Sequence, residues 1–228
     1  AETNGRVWVR DDTWVQGSLR LRLIDNYGKF KYTAPSNLPR VRTFVREYLT
    51  TSRITMPNLQ LTHVGKIDDN HYYSVYAGFL ESMYGGIGGE WLYRPFASRL
   101  ALGIDVNYVK QRDFHQSFSF KDAGTQSGYR VATGHATAYW DTGWNDVHAN
   151  VAAGRYLAKD IGATFSLARV FKNGVTAGAY FSRTNVTAEQ FGEGSFDKGI
   201  FLSIPFDAFL TRSSNTVANF VWQPLIRD

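Results

Sequence analysis

Apolar side chains recur at every second position over long stretches of this chain, the period of a β-strand with one greasy face. In 99–112, Leu100, Leu102, Ile104, Val106 and Tyr108 share one face, while Arg99, Ala101, Gly103, Asp105 and Asn107 share the other. Three later stretches repeat the rule: Val147, Ala149, Val151 and Ala153 oppose His148, Asn150, Ala152 and Gly154; Ile161, Phe165 and Leu167 oppose Gly162, Thr164 and Ser166; Val175, Ala177, Ala179 and Phe181 oppose Thr176, Gly178, Tyr180 and Ser182. Tyr73, Val75, Ala77 and Phe79 oppose Tyr72, Ser74, Tyr76 and Gly78, and Ile200, Leu202, Ile204 and Phe206 oppose Gly199, Phe201, Ser203 and Pro205. Further strands are expected near 14–24, 28–34, 40–49, 54–65, 86–94, 129–141 and 216–226. Turn signals such as Asn26-Tyr27-Gly28, Asp68-Asp69-Asn70 and Lys172-Asn173-Gly174 separate them. No run of helical length carries the i, i+3, i+4, i+7 pattern.

The pattern predicts an all-β fold, an antiparallel transmembrane β-barrel of about 12–14 strands, most of them near the ~9–11 residues that a tilted membrane strand requires. One face of each strand is apolar and the other carries Gly, small polar residues and scattered Asp, Asn and Arg, as a wet lumen would. Aromatics near strand ends (Trp14, Tyr48, Trp91, Tyr93, Tyr108, Trp140, Trp144, Tyr156 and Trp222) suit interfacial girdles. A soluble sandwich or lipocalin-like barrel also alternates, but with shorter strands. Over 129–141 the face is open: Arg130 and Trp140 share one side with small residues, and Thr133, His135 and Thr137 the other.

Composition changes this picture little. Aromatic residues make up 15%, there are 21 glycines, and the mean hydropathy of −0.30 is what alternation averages to. The net charge of +5 is spread along the chain rather than gathered, which argues against nucleic acid as a partner. Cysteine is absent, so disulfides and thiolate chemistry are excluded. The chain opens AETNGRVWVR without a signal peptide, the start of a mature chain or of a piece of a longer one.

Several segments resemble the YjbH (GfcD) family of outer-membrane exopolysaccharide biosynthesis proteins: VRTFVREYL at 41–49, AGFLESMYGGIGGEWLYRPF at 77–96, GRYLAKDIGATFSLARVFKNGVTAGAYFSRTNV at 154–186 and FGEGSFDKGIFLSIPFD at 191–207. Members are much longer, so the resemblance implies a single barrel domain over 1–228 that corresponds to a C-terminal portion, with a second barrel upstream. It further implies the Gram-negative outer membrane and a part in secreting a polysaccharide. The implied partners are outer-membrane lipid, the polymer, the upstream barrel portion, and periplasmic or lipoprotein components of an export system. It transfers no catalytic residue.

The residues yield binding candidates rather than chemistry. Arg42, Tyr72, Tyr76, Asp105, Asn107, His148, Asn150 and Tyr180 fall on the polar parity of their expected strands, a set able to hold sugar rings and hydroxyls or simply to fill a barrel interior. Glu193, Asp197 and Lys198 sit in the Gly-rich FGEGSFDKG, favoured as an inward-tucked turn over a ligand loop, with the chain entering lipid at Ile200. Glu90 and Arg94 share strand parity as a possible structural pair. No histidine has metal-ligand spacing, and neither cofactor nor metal is expected. His135, Ser166 and Asp105 form a hydrolase triple on paper only. Export of the polymer is favoured; a non-conducting anchor for periplasmic partners and a rim-located hydrolase are the alternatives.

Overall fold

A computed structural model describes residues 1–31, 39–121, 128–187, 197–208 and 216–223. Twelve strands form one antiparallel sheet in strict chain order: β1 (Glu2–Arg10), β2 (Thr13–Leu21), β3 (Ile54–Lys66), β4 (His71–Phe79), β5 (Tyr84–Tyr93), β6 (Leu100–Gln111), β7 (Arg130–Asp141), β8 (Val147–Arg155), β9 (Ile161–Val170), β10 (Thr176–Thr184), β11 (Lys198–Pro205) and β12 (Val217–Trp222). Among the described residues β1 pairs only with β2, and β12 only with β11, so these are the sheet's two edges.

Burial along the strands runs opposite to that of a water-soluble sheet. In β6, Leu102, Ile104, Val106 and Tyr108 are 42–60% exposed, while Ala101, Gly103, Asp105 and Asn107 between them are partly buried. The register carries this inversion across the sheet. Val7, Val15, Leu61, Ala77, Ile87 and Tyr108 are successive partners on one face; Trp8, Trp14, Thr62, Tyr76, Gly88, Asn107 and Thr133 are successive partners on the other. Pairing of Asp105 with His135 settles 129–141: Thr133, His135 and Thr137 lie on the polar face, Arg130 and Trp140 on the apolar one.

Alternating strand direction sorts the connections. Those at 11–12, 67–70, 94–99, 142–146 and 171–175 meet at one rim with the longer 206–216, while 22–53, 80–83, 112–129, 156–160 and 185–197 meet at the other. Two expected strands belong to this second rim, and their described residues are not in strands. Within 28–34 the described residues form a 3-10 turn, Tyr27–Lys29, and 40–49 runs through a bend into a helix, α1 (Val45–Thr50). Val41, Thr43 and Val45 alternate, but Phe44 and Tyr48 are also i, i+4, and tertiary contact decides between the two periods. A six-residue helix is marginal alone. Here Thr50 and Thr51 hydroxyls donate back to the Arg46 and Glu47 carbonyls, and Tyr48 is 3% exposed, its ring edge-on to Phe114 at 5.0 Å.

The only buried apolar cluster among the described residues lies on the polar side of this rim. Tyr84, Val109 and Val131 form it, with Val41, Leu80, Met83, Tyr129 and Leu157 packed against it. Arg112 clamps the arrangement and has no exposed surface. Its two terminal nitrogens donate to the carbonyls of Pro57, Glu81, Met56 and Ser117, and the guanidinium lies 4.4 Å from the Phe79 ring centroid. The Tyr48 hydroxyl donates to the Arg112 carbonyl at 2.5 Å, and Gln116 Nε2 donates to the Tyr48 carbonyl. Burial lowers the Arg112 pKa to about 10, which leaves it cationic at neutral pH, and burial raises that of Tyr48. The first strand, β1, is not among the strands the pattern predicts; the segment 2–10 carries only Val7 and Val9 as aliphatics on its apolar face.

Candidate functional site

The polar faces of β4 to β7 bring four titratable or amide side chains together. The Tyr76 hydroxyl donates to Asn107 Oδ1 at 2.7 Å, and Asn107 Nδ2 donates to Asp105 Oδ2 at 3.2 Å. Both Asp105 carboxylate oxygens lie 3.3 Å from His135 Nδ1, whose ring packs on Tyr156 at 4.7 Å. Gly88, between Tyr76 and Asn107, makes their contact possible: a Cβ there would collide with the Asn107 amide oxygen and the Tyr76 ring. A second cluster follows through Tyr156, Thr164 and Ser182, whose hydroxyls are linked at 2.6 and 2.7 Å.

Two grooves open on this face. One, of about 340 Å³, is lined by Glu90, Arg94, Ala101, Asp105, Thr137 and Tyr139. The other, of about 580 Å³, lies across β1 to β3 and includes Arg6, Gln16, Ser18, Asn58, Glu81 and Ser82. Both fall in the size range of small-ligand pockets.

Of the expected binding residues, Tyr76, Asp105 and Asn107 are in one network. Asn150 and Tyr180 flank Ser166 in a neighbouring row, where Gln223 Nε2 donates to the Tyr180 hydroxyl. His148 lies opposite Asp141 and Ala168 on the same face. Tyr72 is on that face but turns its hydroxyl to the Asp69 carbonyl. Arg42 is a correction: it is on no strand, and it pairs with Glu81 at 2.5 Å beside the Tyr84 ring, because 40–44 folds over the rim.

Asp197 precedes β11 and its carbonyl accepts from Ser182 N, while Lys198 is the first residue of that strand; Glu193 lies outside the described residues. Glu90 and Arg94 line one groove without an ion pair within 4 Å: Glu90 accepts from Ser74, and Arg94 follows the end of β5. The hydrolase triple does not assemble. Ser166 is aligned with Asn150 and Tyr139, four residues along β7 from His135, too far for the ring to take its proton. Among the described residues no three His, Asp or Glu side chains converge on a metal position.

Sequence reasoning missed an aromatic cluster on β1 and β2. Trp14 and Tyr156, read as girdle residues, lie on the polar side, and Tyr48 is inside the rim. Trp8 and Trp14 pack at 4.9 Å, and Arg6 lies 5.9 and 5.3 Å from their ring centroids. Gln16 Oε1 accepts from both Arg6 and Trp14 Nε1 at 3.2 Å. The signal was present in TWVQGS, where Trp14, Gln16 and Ser18 share a parity that opposes Val15.

The geometry can bind a polyhydroxylated or charged chain through rings, amides and carboxylates; among the described residues it offers no assembled nucleophile. A family model described as "Exopolysaccharide biosynthesis protein YbjH" matches residues 1–228. The chain is 44% identical over 226 residues to "Uncharacterized lipoprotein YjbH" of Escherichia coli strain K12, covering 97% of this chain and 32% of that protein. It thus spans about a third of that relative's length. No solved structure matches. The chain belongs to the YjbH family of exopolysaccharide biosynthesis proteins.

Proposed function

We propose that the twelve-stranded sheet closes into a barrel in the Gram-negative outer membrane, and that its polar face binds or guides a secreted polysaccharide. The observation that carries this reading is the inverted burial of the strands. Leu102, Ile104, Val106, Leu167, Ile200 and Phe220 form an exposed apolar face that water would penalise and hydrocarbon would accept. Closure follows from the same setting, since unpaired backbone groups at β1 and β12 cost several kcal/mol each in lipid. The polymer is inferred from the family and from the ring-and-amide lining. The test is single-channel conductance of the intact protein in planar bilayers, with and without the purified polysaccharide. Steady conductance that the polymer blocks supports a conduit.

One observation favours a second reading. The rim closed by Tyr48, Tyr84, Gln111 and Arg112 is filled with fully buried side chains, as in a barrel that anchors periplasmic partners without conducting. A silent, correctly inserted protein that captures periplasmic export components would establish that role instead.

A further inference from the structure

The second groove has an imbalance of charge that points to its ligand. Two carboxylates line it, and each is already held: Glu2 by Arg20 at 2.8 Å and Glu81 by Arg42 at 2.5 Å. Arg6 lines the same groove, and among the described residues no carboxylate lies within 4 Å of it. Its guanidinium contacts neutral groups, donating to the Gln16 amide oxygen and lying beside the two tryptophan rings. Gln16 also holds Trp14, so cation and rings are oriented before any ligand arrives.

Neither tryptophan serves the lipid interface. Both lie in the row of Thr62 and Tyr76, on the face opposite Val7 and Val15, and Trp8 is 55% exposed. A half-exposed tryptophan packed on a partly buried one, on a polar face and beside an arginine with no carboxylate within 4 Å among the described residues, matches a pyranose that carries a carboxylate. The rings take the apolar C–H face of the sugar, and the guanidinium takes the acid group as a forked pair of charge-assisted hydrogen bonds.

We propose that Arg6, Trp8, Trp14 and Gln16 form a subsite for a carboxylated sugar, so that the polymer handled by this protein is anionic. The proposal rests on the reading that the polar face meets a polysaccharide, and its test is kept separate from conductance. The intact protein in detergent micelles is titrated with tetragalacturonate and with maltotetraose, followed by tryptophan fluorescence and calorimetry. Tetragalacturonate is expected to bind about tenfold or more tightly than maltotetraose, with an affinity that falls as salt rises. Arg6→Gln removes that preference, Arg6→Lys restores part of it, and Trp14→Ala weakens both tetramers. Trp140→Phe, on the apolar face, changes neither.

Equal affinities, a preference that survives Arg6→Gln, or binding of neither tetramer would overturn the subsite. Polymer block of conductance alongside any of these results would leave the conduit standing and the subsite refuted. Selective tetramer binding by a silent protein would refute the conduit alone.

Discussion

Tyr76 and Asn107 share a 2.7 Å hydrogen bond across a strand to which neither belongs, through the space that Gly88 leaves on β5. That bond joins β4 to β6 and leads on through Asp105 to His135 on β7. The polar face is therefore cross-braced by side chains as well as by its backbone ladder.

Gly88→Val is expected to break this brace. The added carbons displace both partners, and the mutation should lower stability by roughly 1–3 kcal/mol in urea unfolding followed by electrophoretic mobility. Gly5→Ala, at a position with open space around it, should unfold like the parent. Equal loss in both would mean that strand glycines matter here for flexibility rather than for room.

Arg112 should prove the most sensitive residue of the filled rim. Arg112→Met leaves four carbonyls without their donor and is expected to cost roughly 2–4 kcal/mol. It should also expose 39–53 to limited proteolysis. Arg112→Lys supplies a point charge in place of a fork and should rescue little.

On the barrel reading, the two faces of the sheet should tolerate charge unequally. Val106→Arg puts a cation into hydrocarbon near mid-strand and is expected to reduce folding into vesicles by about 2–4 kcal/mol. Gln16→Arg, on the polar face of β2, should fold almost normally. Indifference to Val106→Arg would remove the case for lipid contact.

The turn at 67–70 carries a pH dependence of known sign. Asp68 accepts from Asn70 N and His71 N at 2.8 and 2.9 Å, which holds its carboxyl below the ordinary value, with His71 and Lys66 adding attraction. A depressed acid stabilises the folded turn at neutral pH, and that contribution is lost as pH falls through the carboxylate range. Hydrogen exchange at the Asn70 and His71 amides should therefore lose protection below the usual carboxylate pKa, and Asp68→Ala should remove that pH dependence.

Much of the fold was legible in the sequence because two-residue alternation is local: eleven of the twelve strands overlap expected spans, six of them with their faces assigned by parity, and Asp105, Asn107 and Tyr76 could be placed on the polar parity of theirs. The failures have a common cause. Val41, Thr43 and Val45 satisfy strand spacing, yet Tyr48 finds Arg112, 64 positions away, and that contact folds α1 inward. Trp14 looked like a girdle residue because a single strand does not tell its polar face from its apolar one when both carry rings, and Trp8 lies on a strand the pattern did not predict. Register with Thr62 and Tyr76 supplies the missing information.

The alternation of faces has a consequence for how such a sequence can diverge. Each strand is read in a two-letter frame, and a deletion of one residue acts as a frameshift in space: beyond it, every side chain changes face. Losing Gly103 would exchange the faces on one side of it, placing Asp105 and Asn107 on the apolar face and Val106 and Tyr108 on the polar one. Substitutions that keep size and polarity class pass through such a frame, and length changes do not. Insertions and deletions among relatives should thus accumulate in connections such as 22–53 and 112–129, where no frame runs, and strands should change length by pairs.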